Sequence, residues 1–245
     1  METVKPYHAE GSKKEQVADM FNAISGRYDL LNRTLSLGID VLWRKRTVAA
    51  IRKLGAKEIL DVATGTGDLA IALHKGIRDS KIQGVDISAG MLDVGRKKIT
   101  RKGLDPHIPL HLGDGESLPF EAGQFDAVTV AFGVRNFEHL AQGLVDMKRV
   151  LRPGGALAVL EFSQPERFPF RQFYFAYFKH ILPTIGKWVS KDASAYTYLP
   201  ASVEAFPYGE GFANKLRDAG YTDITIKPLT FGIASLYIAH TPNHI

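Results

Sequence analysis

The sequence has 245 residues, of which 45% are hydrophobic and 23% are charged, and these values are typical of a soluble globular domain with a single core. It contains no cysteine, which excludes disulfide bonds, thiolate metal ligands and cysteine nucleophiles. The formal net charge is +5. This charge does not indicate whether the basic residues bind nucleic acid, bind anionic lipid or are simply exposed to solvent.

The polar N-terminus lacks the apolar core of a signal peptide, so we expect a cytoplasmic protein. Three helices are predicted before the first strand. Ser12 and Glu15 form a capping box for the first helix, Gly38 ends the second, and the third stops near Gly55. Their apolar stripes are Val17, Met20, Phe21 and Ile24, then Leu30, Leu31, Leu35 and Leu37, then Val41, Leu42, Trp43, Val48, Ile51 and Leu54.

A glycine-rich turn follows the first predicted strand, residues 58–62. Gly65 and Gly67 precede a helix-compatible stretch, residues 68–75. Glycine permits positive φ and close approach of a ligand, and the N–H groups that open a helix point toward that ligand. The pattern predicts a turn that binds the polar end of a small molecule, although an ordinary βα turn has the same appearance.

An acidic residue, Asp86, is expected at the end of the second strand, nineteen positions after Gly67. With Ala70, this spacing fits the dinucleotide fingerprint, in which the acid binds ribose hydroxyls. By itself the motif leaves a nicotinamide cofactor, S-adenosylmethionine and no cofactor as alternatives.

Strands and helices alternate through residues 56–162, which predicts a parallel, doubly wound sheet. Ser88 is expected to cap the helix after the second strand, and a later helix opens near Asn136. That helix is expected to stop at the R-P-G-G sequence, residues 152–155, which precedes the next strand. A helix near residues 210–219 and two strands, 221–227 and 232–240, end the chain in a hairpin.

Motifs over nearly the whole chain resemble those of the C-methyltransferases of menaquinone and ubiquinone biosynthesis. The most specific are F-G-V-R-N at residues 132–136 and L-E-F-S-Q-P at residues 160–165, supported by F-N-A-I-S-G-R-Y-D-L-L-N at residues 21–32. The resemblance implies an α/β class I S-adenosylmethionine-dependent methyltransferase fold, Rossmann-like, with a seven-stranded sheet, an antiparallel C-terminal hairpin and an N-terminal helical lid.

The same resemblance implies one domain, residues 1–245. Its parts would be the lid at residues 12–55, a cofactor-binding core at 56–162, a substrate-side insertion at 163–208, and a C-terminal helix and hairpin at 209–245. The implied activity is S-adenosylmethionine-dependent methylation of demethylmenaquinol to menaquinol. Alternatives are the benzoquinol precursor of ubiquinone, another small molecule and, most distantly, a dinucleotide-dependent oxidoreductase.

We expect the cofactor to contact residues at the carboxyl ends of neighbouring strands. Asp86 is placed for the ribose hydroxyls, and Thr66 with the turn glycines is placed for the methionyl end. Asp61 is either another contact or a structural acid at a strand end. The full expected set is Thr64, Gly65, Thr66, Gly67, Asp86, Ile87, Met91, Asp114, Gly115 and Ala131.

The adenine is expected between Ile87 and Met91, with Asp114 and the Gly115 N–H at its edge. Relatives often have alanine at the position of Gly115 and a small hydroxyl residue at that of Ala131. Each assignment has a structural alternative, because Asp114 also fits a turn cap and Met91 also fits the core.

Four residues are expected at the reaction centre. Arg135 would stabilise a developing phenolate, since arginine stays charged, and Asn136 would orient the other oxygen. From the lid, Tyr28 would relay the proton and Asp29 would hold Arg135. The alternative for Arg135 is a buried ion pair with Asp29 or Glu161 that only secures the lid.

Seven of the eleven residues 168–178 are aromatic. They form either a helix packed on the sheet or a channel for a polyprenyl tail. The expected partner is a prenylated quinol, without nucleic acid or metal, and the oligomeric state is open. A peripheral contact at the inner face of the cytoplasmic membrane, through Trp43 and the nearby basic residues, is also open.

Overall fold

The computed structural model describes residues 4–7, 10–176 and 194–243. The three predicted N-terminal helices are present as α1 (Lys13–Ile24), α2 (Tyr28–Leu35) and α3 (Ile39–Lys53). The capping box is confirmed, because the Ser12 side chain accepts the Glu15 N–H and the Glu15 carboxylate accepts the Ser12 N–H. Gly38 separates α2 from α3 with a φ of 78°, which favours glycine.

The remaining elements alternate as expected and then depart from alternation. They are β1 (Glu58–Val62), α4 (Asp68–Gly76), β2 (Lys81–Asp86), α5 (Ala89–Thr100), β3 (Leu110–Leu112), β4 (Phe125–Ala131), α6 (Leu140–Val150), β5 (Leu151–Phe162), α7 (Phe170–Ala176), α8 (Ser194–Ala205), α9 (Glu210–Asp218), β6 (Thr222–Leu229) and β7 (Ala234–His240).

The strands form a seven-stranded sheet in the order β3-β2-β1-β4-β5-β7-β6. The first five in sequence are parallel, and β7 is antiparallel to both β5 and β6. The strand order reverses between β1 and β4. In open α/β sheets, ligands bind at the carboxyl ends of the strands beside such a reversal. The predicted fold is confirmed, and its topology places a site above β1 and β4.

The two faces of the sheet carry separate hydrophobic cores. On one face Leu144 of α6 and Phe212 of α9 are fully buried with Tyr237 of β7. On the other face Ile51 of α3 and Leu73 of α4 are fully buried against the strands. Burial of each large apolar side chain contributes about 1.5–3 kcal/mol. Packing on both faces of the sheet therefore fixes the positions of the strand ends.

The sequence-based expectations differ from the structure at two places. Leu30 and Leu37 are 61% and 81% exposed, because α2 has only eight residues and turns just part of its apolar stripe inward. Helix α6 ends at Val150, just before the R-P-G-G sequence as expected, but R-P-G-G does not precede the strand. It lies within β5 as a bulge, since Leu151 pairs with Phe125 and Ala156 pairs with Ala127.

The aromatic stretch is only partly described. Residues 170–176 form α7, and the ring of Phe170 stacks on that of Phe231 with centroids 3.8 Å apart. Residues 177 and 178 lie outside the described residues, so the tail channel stays a prediction, as does the division into lid, core and insertion. In the parts of the chain that the structure describes, every helix is too short or too polar to cross a bilayer.

Candidate active site

A cleft lies above the carboxyl ends of the parallel strands and beneath the N-terminal helices. The expected site residues that line it are Tyr28, Gly65, Asp86, Ile87, Met91, Asp114, Gly115, Ala131 and Asn136. Thr64, Thr66, Gly67, Asp29 and Arg135 belong to its surroundings rather than to its lining.

The glycine turn after β1 positions the carboxylate of Asp86. The N–H of Gly65 donates to Asp86 Oδ2 at 2.7 Å, and the N–H of Ser88 donates to Oδ1 at 2.8 Å. Gly65 has a φ of 57°, and a Cβ there would lie 3.2 Å from Met91 Cε. Glycine is needed here for both conformation and space.

Asp86 is buried, and burial raises the pKa of its carboxyl although three backbone N–H groups oppose that shift. Each carboxylate oxygen accepts one backbone hydrogen bond and keeps a further lone pair. The side chain is therefore fixed in orientation and still able to accept two hydroxyl groups from the cleft.

Asp61 lies below the turn and does not line the cleft. Its oxygens accept hydrogen bonds from the hydroxyls of Thr64, at 2.6 Å, and Thr129, at 2.7 Å. Burial raises its pKa to about 6, with a smaller contribution from the charge of Asp86. Thr64 thus ties the turn to the end of β1, and the structural interpretation of Asp61 fits these contacts.

Asp29 does not hold Arg135, and that prediction is wrong. Its carboxylate accepts the hydroxyl of Thr66 at 2.6 Å and lies 2.6 Å from Lys98 Nζ. Lys98 also lies 2.7 Å from Asp68 Oδ1. Asp29 therefore joins α2 to the glycine turn through Thr66 and to α5 through Lys98.

The guanidinium of Arg135 forms a buried ion pair with Glu161 of β5. Arg135 Nη1 lies 2.9 Å from Glu161 Oε1 and also donates to the carbonyl of Phe132. The guanidinium carbon lies 5.4 Å from the ring centroid of Phe162. Burial raises the pKa of Glu161, while the charge of Arg135 opposes that shift. The pair joins residues 134–136 to the sheet rather than to the lid.

Two polar atoms beside this pair have no hydrogen-bond partner among the described residues, namely Arg135 Nε and Asn136 Oδ1. Asn136 is 8% exposed and lines the cleft, and its Nδ2 donates to the carbonyl of Phe132 at 3.4 Å. A buried polar atom without a partner costs about 1–3 kcal/mol. Because Asn136 lines the cleft, its free Oδ1 indicates that a ligand completes the site, whereas Arg135 lies outside the lining.

Tyr28 reaches the cleft from α2, and its ring meets the edge of Phe21 with centroids 5.8 Å apart. Burial raises the pKa of its phenol. The hydroxyl therefore stays protonated at neutral pH and acts as a hydrogen-bond donor, whereas a phenolate base would need a lowered pKa.

Lys14 is a cleft residue that the sequence analysis missed. Its Nζ contacts the carboxylate of Asp114 and lies 3.2 Å from Glu116 Oε2. The backbone N–H groups of Lys13 and Lys14 donate to the carboxylate of Glu138, at 3.2 and 3.3 Å. These contacts fasten the first turn of α1 over the cleft.

Lys13 also connects α1 to the segment that follows β4. Its Nζ donates to the backbone carbonyls of Arg135, at 3.1 Å, and Phe137, at 2.8 Å, and burial lowers its pKa. In the sequence, the two lysines look like the wet face of an amphipathic helix. No local pattern reveals partners that lie about a hundred positions away.

An aromatic wall closes one side of the cleft. The ring of Phe132, which lines the cleft, lies 4.6 Å from Phe162 and 5.9 Å from Trp43, centroid to centroid. Trp43 is 3% exposed, and its indole N–H donates to the Thr230 hydroxyl at 2.8 Å. Trp43 is therefore a core residue, and its predicted role as a membrane contact is wrong.

The family model described as the ubiE/COQ5 methyltransferase family matches residues 9–241. The chain belongs to this family. A demethylmenaquinone methyltransferase of Bacteroides fragilis is 47% identical over 238 residues, 97% of each chain. One of Deinococcus radiodurans is 46% identical over 95% of each chain. A ubiquinone/menaquinone biosynthesis C-methyltransferase of Geobacter sulfurreducens is 43% identical, covering 92% of this chain and 88% of the relative.

Solved structures share the fold at low sequence identity. A SAM-dependent methyltransferase from Thermotoga maritima matches with a TM-score of 0.64 and 17% identity, over 91% of this chain and 99% of that one. One from Aquifex aeolicus matches with a TM-score of 0.56 and 19% identity, over 79% and 88%. The [4+2]-cyclase SpnF matches with a TM-score of 0.67 and 17% identity, over 95% and 97%. Since a cyclase shares it, the fold alone does not give the reaction.

Proposed function

We propose that this methyltransferase binds S-adenosylmethionine in the cleft and methylates a ring carbon of demethylmenaquinol, giving menaquinol. The observation that carries the proposal is the buried, unpartnered Oδ1 of Asn136 in a cleft that also presents Asp86, with the unpartnered Nε of Arg135 on the neighbouring residue. The names of the relatives from Bacteroides fragilis and Deinococcus radiodurans supply the substrate.

The donor set fits the proposed cofactor. Asp86 offers two fixed acceptors for a ribose diol, and Ile87 and Met91 offer apolar walls for an adenine. Asp114 and the Gly115 N–H are placed for the edge of the base. The turn at residues 64–67 is placed for the methionyl end, but the N–H groups of Thr64, Gly65 and Gly67 already donate to Val85, Asp86 and Thr64. The methionyl carboxylate would therefore be bound by N–H groups at the start of α4. When bound, the cofactor supplies an electrophilic methyl group on a sulfonium.

The acceptor must supply a nucleophilic ring carbon. A hydroquinone hydroxyl that gives its proton to solvent water before the cleft closes becomes an oxyanion, which pushes electron density onto the ring. Arg135 is held by Glu161 beside the cleft, and its cationic donors would stabilise that oxyanion. The free Oδ1 of Asn136 would accept the hydrogen of the second hydroxyl and so fix the orientation of the ring. The ring gains a methyl group and then releases the proton from the same carbon.

Tyr28 is placed on the lid side of the same space. Because its phenol stays protonated at neutral pH, it would donate a hydrogen bond to the quinol oxygen rather than remove a proton. With α1 and α2 closed, Val17, Phe21 and Phe132 would keep water away from the reacting carbon.

The test is transfer of a labelled methyl group from S-adenosylmethionine to short-chain demethylmenaquinol, to its oxidised quinone and to the matching benzoquinol. We expect label in the naphthoquinol, because only the reduced ring can form the oxyanion. Label in the benzoquinol alone would favour the second candidate, ubiquinone biosynthesis, which the name of the Geobacter sulfurreducens relative suggests. Cofactor binding without labelling of any quinol would overturn the quinol proposal.

A further inference from the structure

A second groove, of about 450 Å³, lies between α3 and the C-terminal strands. One wall is α3 and the other is β6, with Leu236 of β7 and the buried Trp43 between them. Trp43 packs on Phe132, so the aromatic wall separates this groove from the cleft. None of the expected site residues lines the groove.

The α3 wall consists of Leu42, Arg46, Ala49, Ala50 and Lys53. Their spacing places them along one stripe of the helix. Facing them, Lys227 and Leu229 are two positions apart on β6 and therefore point to the same side of the strand. The groove thus combines an apolar interior with three cations.

The cations Arg46, Lys53 and Lys227 are all exposed. Within residues 4–7, 10–176 and 194–243, none of the three takes part in an ion pair. The residues that line the groove include no aspartate or glutamate. The positive charge of this surface is therefore not neutralised by the described chain, and it is complementary to an anionic partner.

Exposed apolar side chains are present in the groove and at positions that directly follow its lining residues in the sequence. Leu42 is 50% exposed, Leu54 follows α3 and is 43% exposed, and Phe231 follows Thr230 of the groove and is 67% exposed. Phe231 is held by its stacking on Phe170. Large apolar side chains beside unpaired cations are typical of proteins that lie on an anionic membrane surface.

We propose that this surface, defined by Leu42, Arg46, Lys53, Lys227 and Phe231, docks on a bilayer that contains anionic phospholipid. The cations contact phosphate groups, while Leu42 and Phe231 enter the interfacial region. The aromatic wall then lies between the bilayer and the cleft.

The test is cosedimentation of the full chain with vesicles of phosphatidylcholine, with and without phosphatidylglycerol. We expect binding that requires phosphatidylglycerol and weakens with added salt. The triple variant Arg46→Gln, Lys53→Gln, Lys227→Gln should lower the partition coefficient about 100-fold, because each cation near an anionic surface contributes about fivefold. Leu42→Ser should lower it severalfold while leaving the charge unchanged.

A matched control removes three exposed cations from the end of α5 and the turn after it, with the variant Lys97→Gln, Arg101→Gln, Lys102→Gln. It should lower the partition coefficient much less. Equal losses in both triple variants, or unchanged binding of the groove variant, would overturn the proposal. So would a change from dimer to monomer in the groove variant, since the groove would then join two copies of the chain. Binding of S-adenosylhomocysteine, measured alongside, should be unchanged, so failure here leaves the proposed function standing.

Discussion

Nη1 of Arg135 lies 2.9 Å from Oε1 of Glu161, and their side chains are 7% and 0% exposed. The N–H of Phe162 also donates to Glu161 Oε1, at 2.8 Å. The carboxylate is therefore fixed by the sheet, and it fixes the guanidinium in turn. This relationship gives Arg135 a structural part, in addition to the catalytic part that we propose for it.

Replacing Arg135 separates these parts. Arg135→Ala leaves Glu161 buried without its partner, which should cost about 3 kcal/mol of unfolding free energy. Arg135→Lys keeps a cation but not the fixed donors of the guanidinium, and kcat should fall about 100-fold with cofactor affinity unchanged. Urea unfolding, calorimetric cofactor binding and methyl transfer would measure the three quantities. A folded Arg135→Lys enzyme with the original kcat would contradict the catalytic role.

Replacing Asp86 should weaken cofactor binding. In Asp86→Asn, one ribose acceptor is lost and an amide donor faces either the Gly65 N–H or the Ser88 N–H. We expect affinity for S-adenosylhomocysteine to fall about 10- to 100-fold, the effect of one charge-assisted hydrogen bond. Asp93→Asn, an exposed carboxylate on α5, is the matched control. Calorimetric titration that gives the same affinity for Asp86→Asn and wild type would disprove the ribose assignment.

The contact of Lys14 with Asp114 and Glu116 should set how firmly α1 closes the cleft. Burial lowers the pKa of Lys14, but hydrogen bonds to the two carboxylates outweigh burial and raise it. Lys14→Met should speed dissociation of S-adenosylhomocysteine about twofold to fivefold, the range of a partly exposed ion pair. Stopped-flow measurements should show that added salt speeds dissociation from wild type and not from the variant. The exposed Lys45→Met variant serves as control, and slower dissociation from Lys14→Met would oppose this role.

Asp61 should make stability depend on pH. Its pKa is raised from 3.8 to about 6, so the native state keeps a proton that the unfolded chain has lost. The stability of wild type relative to Asp61→Asn should therefore fall as the pH rises from about 4 to about 7, by about 3 kcal/mol in total. Urea unfolding across this range measures the difference, with the exposed Asp19→Asn as control. A constant difference would show that Asp61 is charged throughout.

The sequence reveals the parts of the site that depend on short-range patterns. Gly65 and Asp86 were predictable because a strand, a glycine turn and a second strand end follow one another within thirty residues. The helices, their caps and the terminal hairpin follow from periodicity in the same way. The order of the sheet then brings these strand ends together.

Contacts between distant segments were not predictable. Lys14 meets Asp114 across one hundred positions, and Asp29 meets Lys98 rather than Arg135. Trp43 resembles an interfacial aromatic residue in the sequence, yet the packing of α3 on the sheet buries it. The tertiary arrangement of the lid decides these three cases, and no periodicity encodes it.

The measurement that tests the central claim most directly is a crystal structure of the chain with S-adenosylhomocysteine bound. The account predicts both ribose hydroxyls within hydrogen-bond distance of the Asp86 carboxylate, the adenine between Ile87 and Met91, and the sulfur directed toward Asn136. A nucleoside bound away from Asp86, or a sulfur facing away from Arg135 and Asn136, would contradict it.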